Sequence, residues 1–340
     1  MADDVLRFGK IEIIEWLRPG EMKTGRDLFD EVEPMGIASM PAIGAQYRQV
    51  LTRAEFLSAL REIENEFRAT GMLPLLHIET HGSIGGIGVS EQEGIAFAEL
   101  MEEFIPLNRM SGLHLIVVLA ACEGIWGMKM LQPARGAAAF RALIGPEHEI
   151  FPEQLAKGCQ TFYRGLFSRA GNGNEAFRAM NDAVDATKPT FFTISAEGAL
   201  KMVFRGYLQE LCTPGEIERR VNAVEAKALQ QRRDDGLPDM FSKDKAWARR
   251  LLRDSLVNHR AHFERTRRDF FFIDQFPENE QRFDVKFAAI ASRALTDRFK
   301  HKIFGGYGSG TPALATACAT LGSRRSLRHA TTMLSSGRMR

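Results

Sequence analysis

The order of strand-like and helix-like segments restricts the fold of this chain more than any other feature of its sequence. Between residues 10 and 196, short apolar runs alternate with longer segments whose apolar residues recur at helical spacing. The clearest strand is "GLHLIVVLAA" (112–121), and the clearest helix is "TRAEFLSALREIENEFRATG" (52–71), with Thr near its start and Gly at its end. Strands separated by helices indicate βαβ units, so we predict an α/β fold with a mainly parallel sheet flanked by helices.

The remaining predicted elements continue this alternation. Strands are predicted at 10–17, 73–80, 137–145 and 190–196, and helices at 94–107, 152–169 and 174–187. From about residue 197 the pattern becomes nearly continuous helix, and the end of the chain is rich in Gly, Ser, Thr, Ala and Arg. We therefore predict an α/β domain at 1–199, an α-helical C-terminal extension at 200–302 and a mobile Gly/Ser/Arg-rich tail at 303–340.

Composition limits the class of protein. With 44% apolar and 26% charged residues, the chain has the composition of an ordinary globular protein. No apolar run approaches the roughly 18–20 residues of a membrane span, and the charged start "MADDVLRFGK" lacks the apolar centre of a signal peptide. We expect a cytoplasmic protein that does not act at a membrane. The four cysteines, which are Cys122, Cys159, Cys212 and Cys318, are widely scattered and lack metal-binding spacing. Neither a metal nor another cofactor is therefore predicted.

Charge is distributed unevenly, although the net charge is only +2. Residues 201–340 contain 27 Lys and Arg against 16 Asp and Glu, which leaves the first 200 residues acidic. A basic half is one signature of nucleic-acid binding, and "RTRRDFFF" (265–272) mixes basic and aromatic residues as such surfaces do. Three consecutive Phe on a helix are more typical of a core, and the sequence has no nucleic-acid motif. Nucleic acid is therefore not expected as a partner.

Two strand ends carry chemically reactive residues. The stretch "LLHIETHGSIGGIGVS" (75–90) runs from a strand into a glycine-rich loop, but it lacks the Lys of a P-loop and the spacing of a dinucleotide site. His81 stands before that loop, and Cys122 stands at the end of the strand 112–121. Because sites in open parallel sheets form at the carboxyl ends of strands, the two side chains are expected close together if their strands are neighbours.

A cysteine beside a histidine supports nucleophilic chemistry. The imidazole takes the thiol proton, the thiolate attacks, and the imidazolium protonates a leaving amine. The N–H groups of Gly82 and Cys122 are placed to form an oxyanion hole, in which one donor is worth about 3 kcal/mol. Taken singly, a strand-end cysteine or histidine is more often a packing residue. The joint pattern, with the two residues 41 positions apart, is what indicates a site.

Several segments resemble caspase-like cysteine peptidases, specifically their bacterial CHAT-type branch. "HIETHGSIGGIGVSEQEGIAFAEL" resembles the histidine motif of that family, and "VVLAACEG" resembles its cysteine motif. "RALIGPEHEI" and "FYRGLFSRAGNGNEAFRAMNDAV" resemble the strand and two helices beyond the cysteine, and "IEIIEWLRPGEMKTGRDL" resembles a first-strand segment. The resemblance covers roughly residues 8–197 and implies a caspase-like fold for them.

The resemblance also implies roles for the site residues. His81 would be the general acid and base, Cys122 the nucleophile, and Gly82 with Cys122 the oxyanion donors. Glu79 shares a strand face with His81 and is a candidate for orienting its ring, although enzymes of this kind generally work as a dyad. His77 is a weaker candidate for the base, since it has no following glycine and lies about 13 Å further back along the strand.

The residue before the scissile bond is not specified by these motifs. Ala120 stands where caspases carry Gln and metacaspases an acid, so a preference for Asp or for Arg and Lys is not implied. Glu15, Arg18 and Glu123 are candidates for lining the pocket, and each is equally explained as a solvated loop charge.

Two functions from different classes remain open at this point. The favoured one is a cysteine endopeptidase that cleaves a protein partner through a Cys–His dyad, with a regulatory protein partner bound by the helical extension. The alternative is a catalytically inert caspase-like scaffold or interaction module. The presence of both His81 and Cys122 favours the enzyme, because decayed peptidases commonly lose one of the pair.

Overall fold

The chain divides into two compact units. The computed structural model describes residues 7–132, 136–168, 172–185, 187–236, 249–250, 252–254 and 256–292. The first unit contains the described residues up to 131, those within 137–199 and residues 275–282. The second contains residues 132 and 136, the described residues within 200–274 and those after 282.

A six-stranded sheet forms the centre of the first unit. Its strands and those of a smaller sheet are β1 (Lys10–Trp16), β2 (Gly44–Val50), β3 (Pro74–Thr80), β4 (Gly82–Ser83), β5 (Gly86–Gly88), β6 (Gly94–Ala96), β7 (Ile116–Ala120), β8 (Ala142–Pro146) and β9 (Phe191–Ser195). The large sheet has the order β2-β1-β3-β7-β8-β9. Its first five strands are parallel, and β9 runs antiparallel to β8. The small antiparallel sheet, β4-β5-β6, follows β3 directly.

Helices cover both faces of the large sheet. They are α1 (Thr24–Ala38), α2 (Arg53–Thr70), α3 (Phe97–Met110), α4 (Pro152–Ser168) and α5 (Gly173–Val184). On one face, side chains of the strands share a continuous apolar cluster with α1, α4 and α5. On the other face, the ring of Trp16 in β1 stacks on Phe56 in α2, with 4.9 Å between centroids. The predicted α/β fold, a mainly parallel sheet flanked by helices, is confirmed.

Local chemistry sets the ends of α2. Thr52 accepts a hydrogen bond from the Glu55 N–H, and the Glu55 side chain accepts one from the Thr52 N–H. This reciprocal pair satisfies two of the backbone donors that a helix leaves free at its start. At the other end, Gly71 adopts a left-handed conformation and donates to the Phe67 carbonyl. The predicted helix at 52–71 is therefore confirmed to within one residue at each end.

Several elements differ from the sequence prediction, among them the strand predicted at 137–145, which begins at Ala142 and ends at Pro146. β2 was not predicted, because it is an edge strand whose residues are mostly half-exposed and include few large apolar side chains. The strand predicted at 112–121 begins at Ile116, since Gly112 and Leu113 lie in a turn with positive φ. The helix predicted at 94–107 begins at Phe97, since the preceding three residues pair as β6.

The described residues beyond β9 are mostly helical, as predicted. Its elements are α6 (Ala196–Gly206), a π-helical turn (Tyr207–Leu211), α7 (Pro214–Asp234), α8 (His259–Phe270) and α9 (Asn279–Arg282). In the second unit, the rings of Phe204, Tyr207, His262 and Phe263 pack against one another. The short helix α9 belongs to the first unit. The boundaries at 199 and 302 stay a prediction, and the predicted tail at 303–340 lies outside the described residues.

Candidate active site

The carboxyl ends of β1, β3 and β7 form the candidate site. The sheet order reverses between β1 and β3, because the chain passes from β1 outward to β2 and returns to the other side of β1. In an open parallel sheet, such a reversal leaves a crevice beside the carboxyl ends of the two strands, and ligands bind there. The segments that follow β1, β3 and β7 carry Glu21, His81 and Cys122 respectively.

The structure brings the histidine and cysteine motifs together. β3 and β7 are neighbours, with Glu79 opposite Ala120, and His81 and Cys122 each lie two residues beyond that pair. A Cβ added at Gly82 would overlap the carbonyl oxygen of Cys122, so the backbones of the two motifs touch. The position after His81 therefore requires glycine for a steric reason that the sequence did not reveal.

The Cys122 thiol is half-buried and faces a backbone carbonyl. Its Sγ lies 3.8 Å from the carbonyl oxygen of Ile150 and donates to it. In the part of the chain that the structure describes, no hydrogen bond joins this thiol to the His81 ring. Catalytic hydrogen bonds are often long in free enzymes and shorten when substrate binds. For proton transfer, the thiol has to leave Ile150 and turn toward the imidazole.

The backbone N–H groups of Gly82 and Cys122 have no hydrogen-bond partner among the described residues. Gly88 N–H donates to the His81 carbonyl at 3.0 Å, which makes Gly82 and Ile87 a non-hydrogen-bonded pair of the antiparallel ladder. The Gly82 N–H therefore points away from β5. Next to Cys122, the Glu123 N–H donates to the His148 carbonyl, while the Cys122 N–H has no partner among the described residues.

The His81 ring is held by a carboxylate that sequence analysis missed. Its Nε2 lies 3.0 Å and 3.1 Å from the two carboxylate oxygens of Glu21. About half of the His81 side chain and a third of the Glu21 side chain are exposed (51% and 32%), so the pair lies at the rim of the crevice. Glu21 comes from the loop between β1 and α1, sixty residues before His81.

A turn encoded in the sequence presents Glu21. In "RPGE" (18–21), Pro and Gly occupy the two central positions that favour a type II turn. The Glu21 N–H donates to the Arg18 carbonyl at 3.2 Å, and Gly20 has a φ of 92°. The Pro-Gly dipeptide in the sequence was a signal that the turn holds the Glu21 carboxylate in a fixed position. Nothing in the sequence indicated which side chain that carboxylate would contact.

Glu79 lies in a buried polar network below the site. Its carboxylate accepts a hydrogen bond from the Thr24 hydroxyl, and it lies 3.6 Å from the Nε2 of His77. Burial raises the pKa of Glu79, His77 opposes that shift, and the nearby carboxylate of Glu15 adds to it. The role of Glu79 in orienting His81 stays a prediction, since the carboxylate in contact with that ring is that of Glu21. His77 is fully buried, which leaves it without access to a substrate.

The three pocket candidates have different surroundings. Glu15 is fully buried and accepts from the Tyr47 hydroxyl at 2.9 Å, so it does not line a substrate pocket. The Arg18 guanidinium donates to the Val89 carbonyl. Glu123 has a left-handed backbone (φ 56°) directly after Cys122.

The described residues contain neither a metal-binding cluster nor a membrane-spanning helix. Among the described residues, no cluster of three or more His, Cys, Asp or Glu side chains has a geometry that would hold a metal ion. None of the helices within that part of the chain has the length and apolar character needed to cross a membrane.

Comparisons with known proteins give a distant likeness. No protein-family model matches the sequence, and no curated protein matches it. Among solved structures, the chain is similar to the X-ray structure of a secreted C11 cysteine protease from Bacteroides thetaiotaomicron, "iotapain". The identity is 10%, the TM-score is 0.39, and the match covers 59% of this chain and 71% of that one. A likeness of this degree assigns no role to any residue here, so the chemistry has to be inferred from the side chains of this chain.

Proposed function

We propose that this protein is a cysteine endopeptidase whose nucleophile is Cys122 and whose general acid and base is His81. The observation that carries the proposal is the direct contact between the two motifs at neighbouring strand ends, where Gly82 lies against the Cys122 backbone. A strand-end cysteine alone has a packing explanation. A cysteine, a histidine and two free backbone donors at the reversal point of a parallel sheet have the parts that acyl transfer requires.

The reaction follows from these parts. His81 takes the proton from the Cys122 thiol, and the thiolate forms a C–S bond to the peptide carbonyl carbon while the carbonyl oxygen becomes an oxyanion. The N–H groups of Gly82 and Cys122 donate to that oxyanion. The His81 imidazolium then protonates the amide nitrogen, the C–N bond breaks, and the amine leaves a thioester. His81 next deprotonates a water molecule, which cleaves the thioester and restores the thiol.

The finer assignments belong to the same proposal. The motifs around His81 and Cys122 resemble those of the CHAT-type branch of caspase-like peptidases, which supports an enzyme of that branch with a protein as substrate. Free thiols at the described cysteines accord with a cytoplasmic location. The helices from 200 onward bind the regulatory partner, since the chemistry has its parts in the first unit.

Cleavage-site profiling of a proteome tests this function. We expect new protein N-termini with the wild-type chain and none with Cys122→Ala. Cys212→Ala is the matched control, because it removes a half-buried thiol of the second unit and should leave cleavage unchanged. New termini that persist at full level in Cys122→Ala would contradict the assignment.

The inert module is the second candidate, and one observation favours it. The Cys122 thiol is bonded to the Ile150 carbonyl rather than to His81. A wild-type chain that yields no new termini under any condition, yet captures the same protein partners as Cys122→Ala, would support that function instead.

A further inference from the structure

Glu21 contacts the His81 ring with both of its carboxylate oxygens. Both carboxylate oxygens of Glu21 lie within 3.1 Å of one ring nitrogen, Nε2. Burial alone would raise the pKa of Glu21, but hydrogen bonds from the Arg18 backbone and from His81 outweigh it, so the pKa lies below its ordinary value. Glu21 is therefore ionised near neutral pH and only accepts hydrogen bonds, which places the ring proton on Nε2.

The Glu21 carboxylate is itself held in place. The Arg18 N–H donates to its Oε2 at 2.8 Å, within the turn that Pro19 and Gly20 define. The Arg18 guanidinium donates to the Val89 carbonyl, in the segment directly after β5. The Arg18 contact thus connects the turn to the β4-β5 hairpin, which begins at Gly82. The Glu21 carboxylate, the His81 ring and the Gly82 N–H are therefore held by connected backbone segments.

From this geometry we propose that Glu21 is the positioning residue of His81. Its carboxylate accepts the Nε2 proton, keeps Nδ1 as the free acceptor for the Cys122 thiol proton, and stabilises the imidazolium that forms after that transfer. The inference rests on the proposed peptidase function and extends its dyad to three residues, one from the end of each of β1, β3 and β7.

A structural role for the contact makes a different prediction. An exposed carboxylate–imidazole pair contributes little to stability, so its loss would leave the fold intact. If Glu21 only stabilised the surface, the tautomer of His81 and the turnover rate would not depend on it. Measurements of the His81 tautomer and of kcat distinguish the two roles, whereas a measurement of stability does not.

The test compares Glu21→Ala and Glu21→Asp with Glu33→Gln in the full chain. Glu33 is an exposed glutamate of α1, the helix that follows the Glu21 loop, and serves as the matched control. The first readout is the tautomer of His81 from long-range ¹H–¹⁵N spectra, with the resonances assigned by His81→Ala. The second is kcat and KM on a peptide taken from cleavage-site profiling.

The expected result has three parts. Glu21→Ala converts His81 from the Nε2–H form to a mixture of tautomers and lowers kcat on the order of 10²-fold, with KM within about twofold. Glu21→Asp recovers part of kcat, because a shorter carboxylate still accepts from the ring. Glu33→Gln matches the wild type in both readouts.

The contrary results are distinct from a failure of the peptidase proposal. An unchanged tautomer in Glu21→Ala overturns the positioning role, whether or not kcat falls. An unchanged kcat overturns it as well. A third outcome is that Glu21→Ala changes the tautomer of His81 while the wild-type chain cleaves no peptide. That combination supports the Glu21–His81 contact and overturns the peptidase function.

Discussion

At Gly82, the backbone of the histidine motif lies directly against the backbone of Cys122. A side chain there would overlap the backbone carbonyl of Cys122, and a backbone atom does not move aside as a flexible side chain does. We expect Gly82→Ala to destabilise the first unit by about 1–3 kcal/mol and to lower peptide cleavage by at least tenfold, since the two strand ends must separate. Urea denaturation and a peptide assay measure the two effects.

Gly85→Ala is the control for that substitution. It lies in the same hairpin, and an added Cβ would meet only the Ser83 hydroxyl at an ordinary contact distance of 3.8 Å. Equal effects of the two substitutions would mean that loop flexibility, not the contact with Cys122, explains the glycine at 82.

Glu79 gives a prediction about pH at the same scale. Its pKa is raised above the ordinary 4.5, chiefly by burial, so the folded chain holds this proton more tightly than the unfolded chain. Its contribution to stability is therefore full below about pH 4.5 and is lost as the pH rises through the folded pKa. Glu79→Gln should lack this loss and gain in free energy of unfolding relative to wild type as the pH rises. Urea titrations from pH 4.5 to 8 measure the difference, and a difference as flat with pH as that of Glu33→Gln would contradict the prediction.

At the scale of elements, the sequence was most informative where periodicity and caps agreed. α2 has both an amphipathic pattern and a capping box, and its bounds were predicted to within one residue. β2 has no run of large apolar residues and most of its residues are only half-buried, so propensity gave no signal for it. Strand order was also hidden, because a pattern of strands and helices does not specify which strands are neighbours.

The short helix α9 holds the turn that leads into β7, the strand that precedes Cys122. Arg282 donates to the carbonyls of Gly112 and Leu113, at 3.0 Å and 2.7 Å, in the turn before β7. Its contact with His114 Nδ1 at 2.9 Å accords with a neutral imidazole, since burial and then Arg282 lower the pKa of His114 to about 4. We expect Arg282→Ala to cost about 2–3 kcal/mol, because half-buried carbonyls lose a charged donor.

Chemical denaturation of the full chain measures that cost. Arg61→Ala, on the exposed side of α2, is the control and should stay within about 0.5 kcal/mol of the wild type. If both variants unfold at the same denaturant concentration as the wild type, α9 does not support β7.

At the scale of the whole molecule, the sequence predicted the α/β fold and the pair at two strand ends, but not how the chain is shared between units. Residues 275–282 return to the first unit after the helices of the second, a long-range pairing that no local pattern reveals. Glu21 was hidden for the same reason, since its meeting with His81 depends on β1 and β3 being neighbours. Local signals thus predicted the elements, and tertiary neighbours determined the site.

The central claim is that Cys122 is a nucleophile served by His81, and thiol alkylation tests it most directly. The full chain is treated with iodoacetamide, and the alkylation rate of each cysteine is followed by mass spectrometry, in wild type and in His81→Ala.

Cys159 is the inert reference, since burial raises the pKa of its thiol. Cys212, whose Sγ lies 3.4 Å from Nδ1 of His259 in the second unit, is the internal control for a histidine other than His81. We predict that Cys122 reacts faster than Cys159 and that His81→Ala slows Cys122 by at least tenfold while leaving Cys212 unchanged. A Cys122 rate that is no faster than that of Cys159, or that does not change in His81→Ala, would contradict the account.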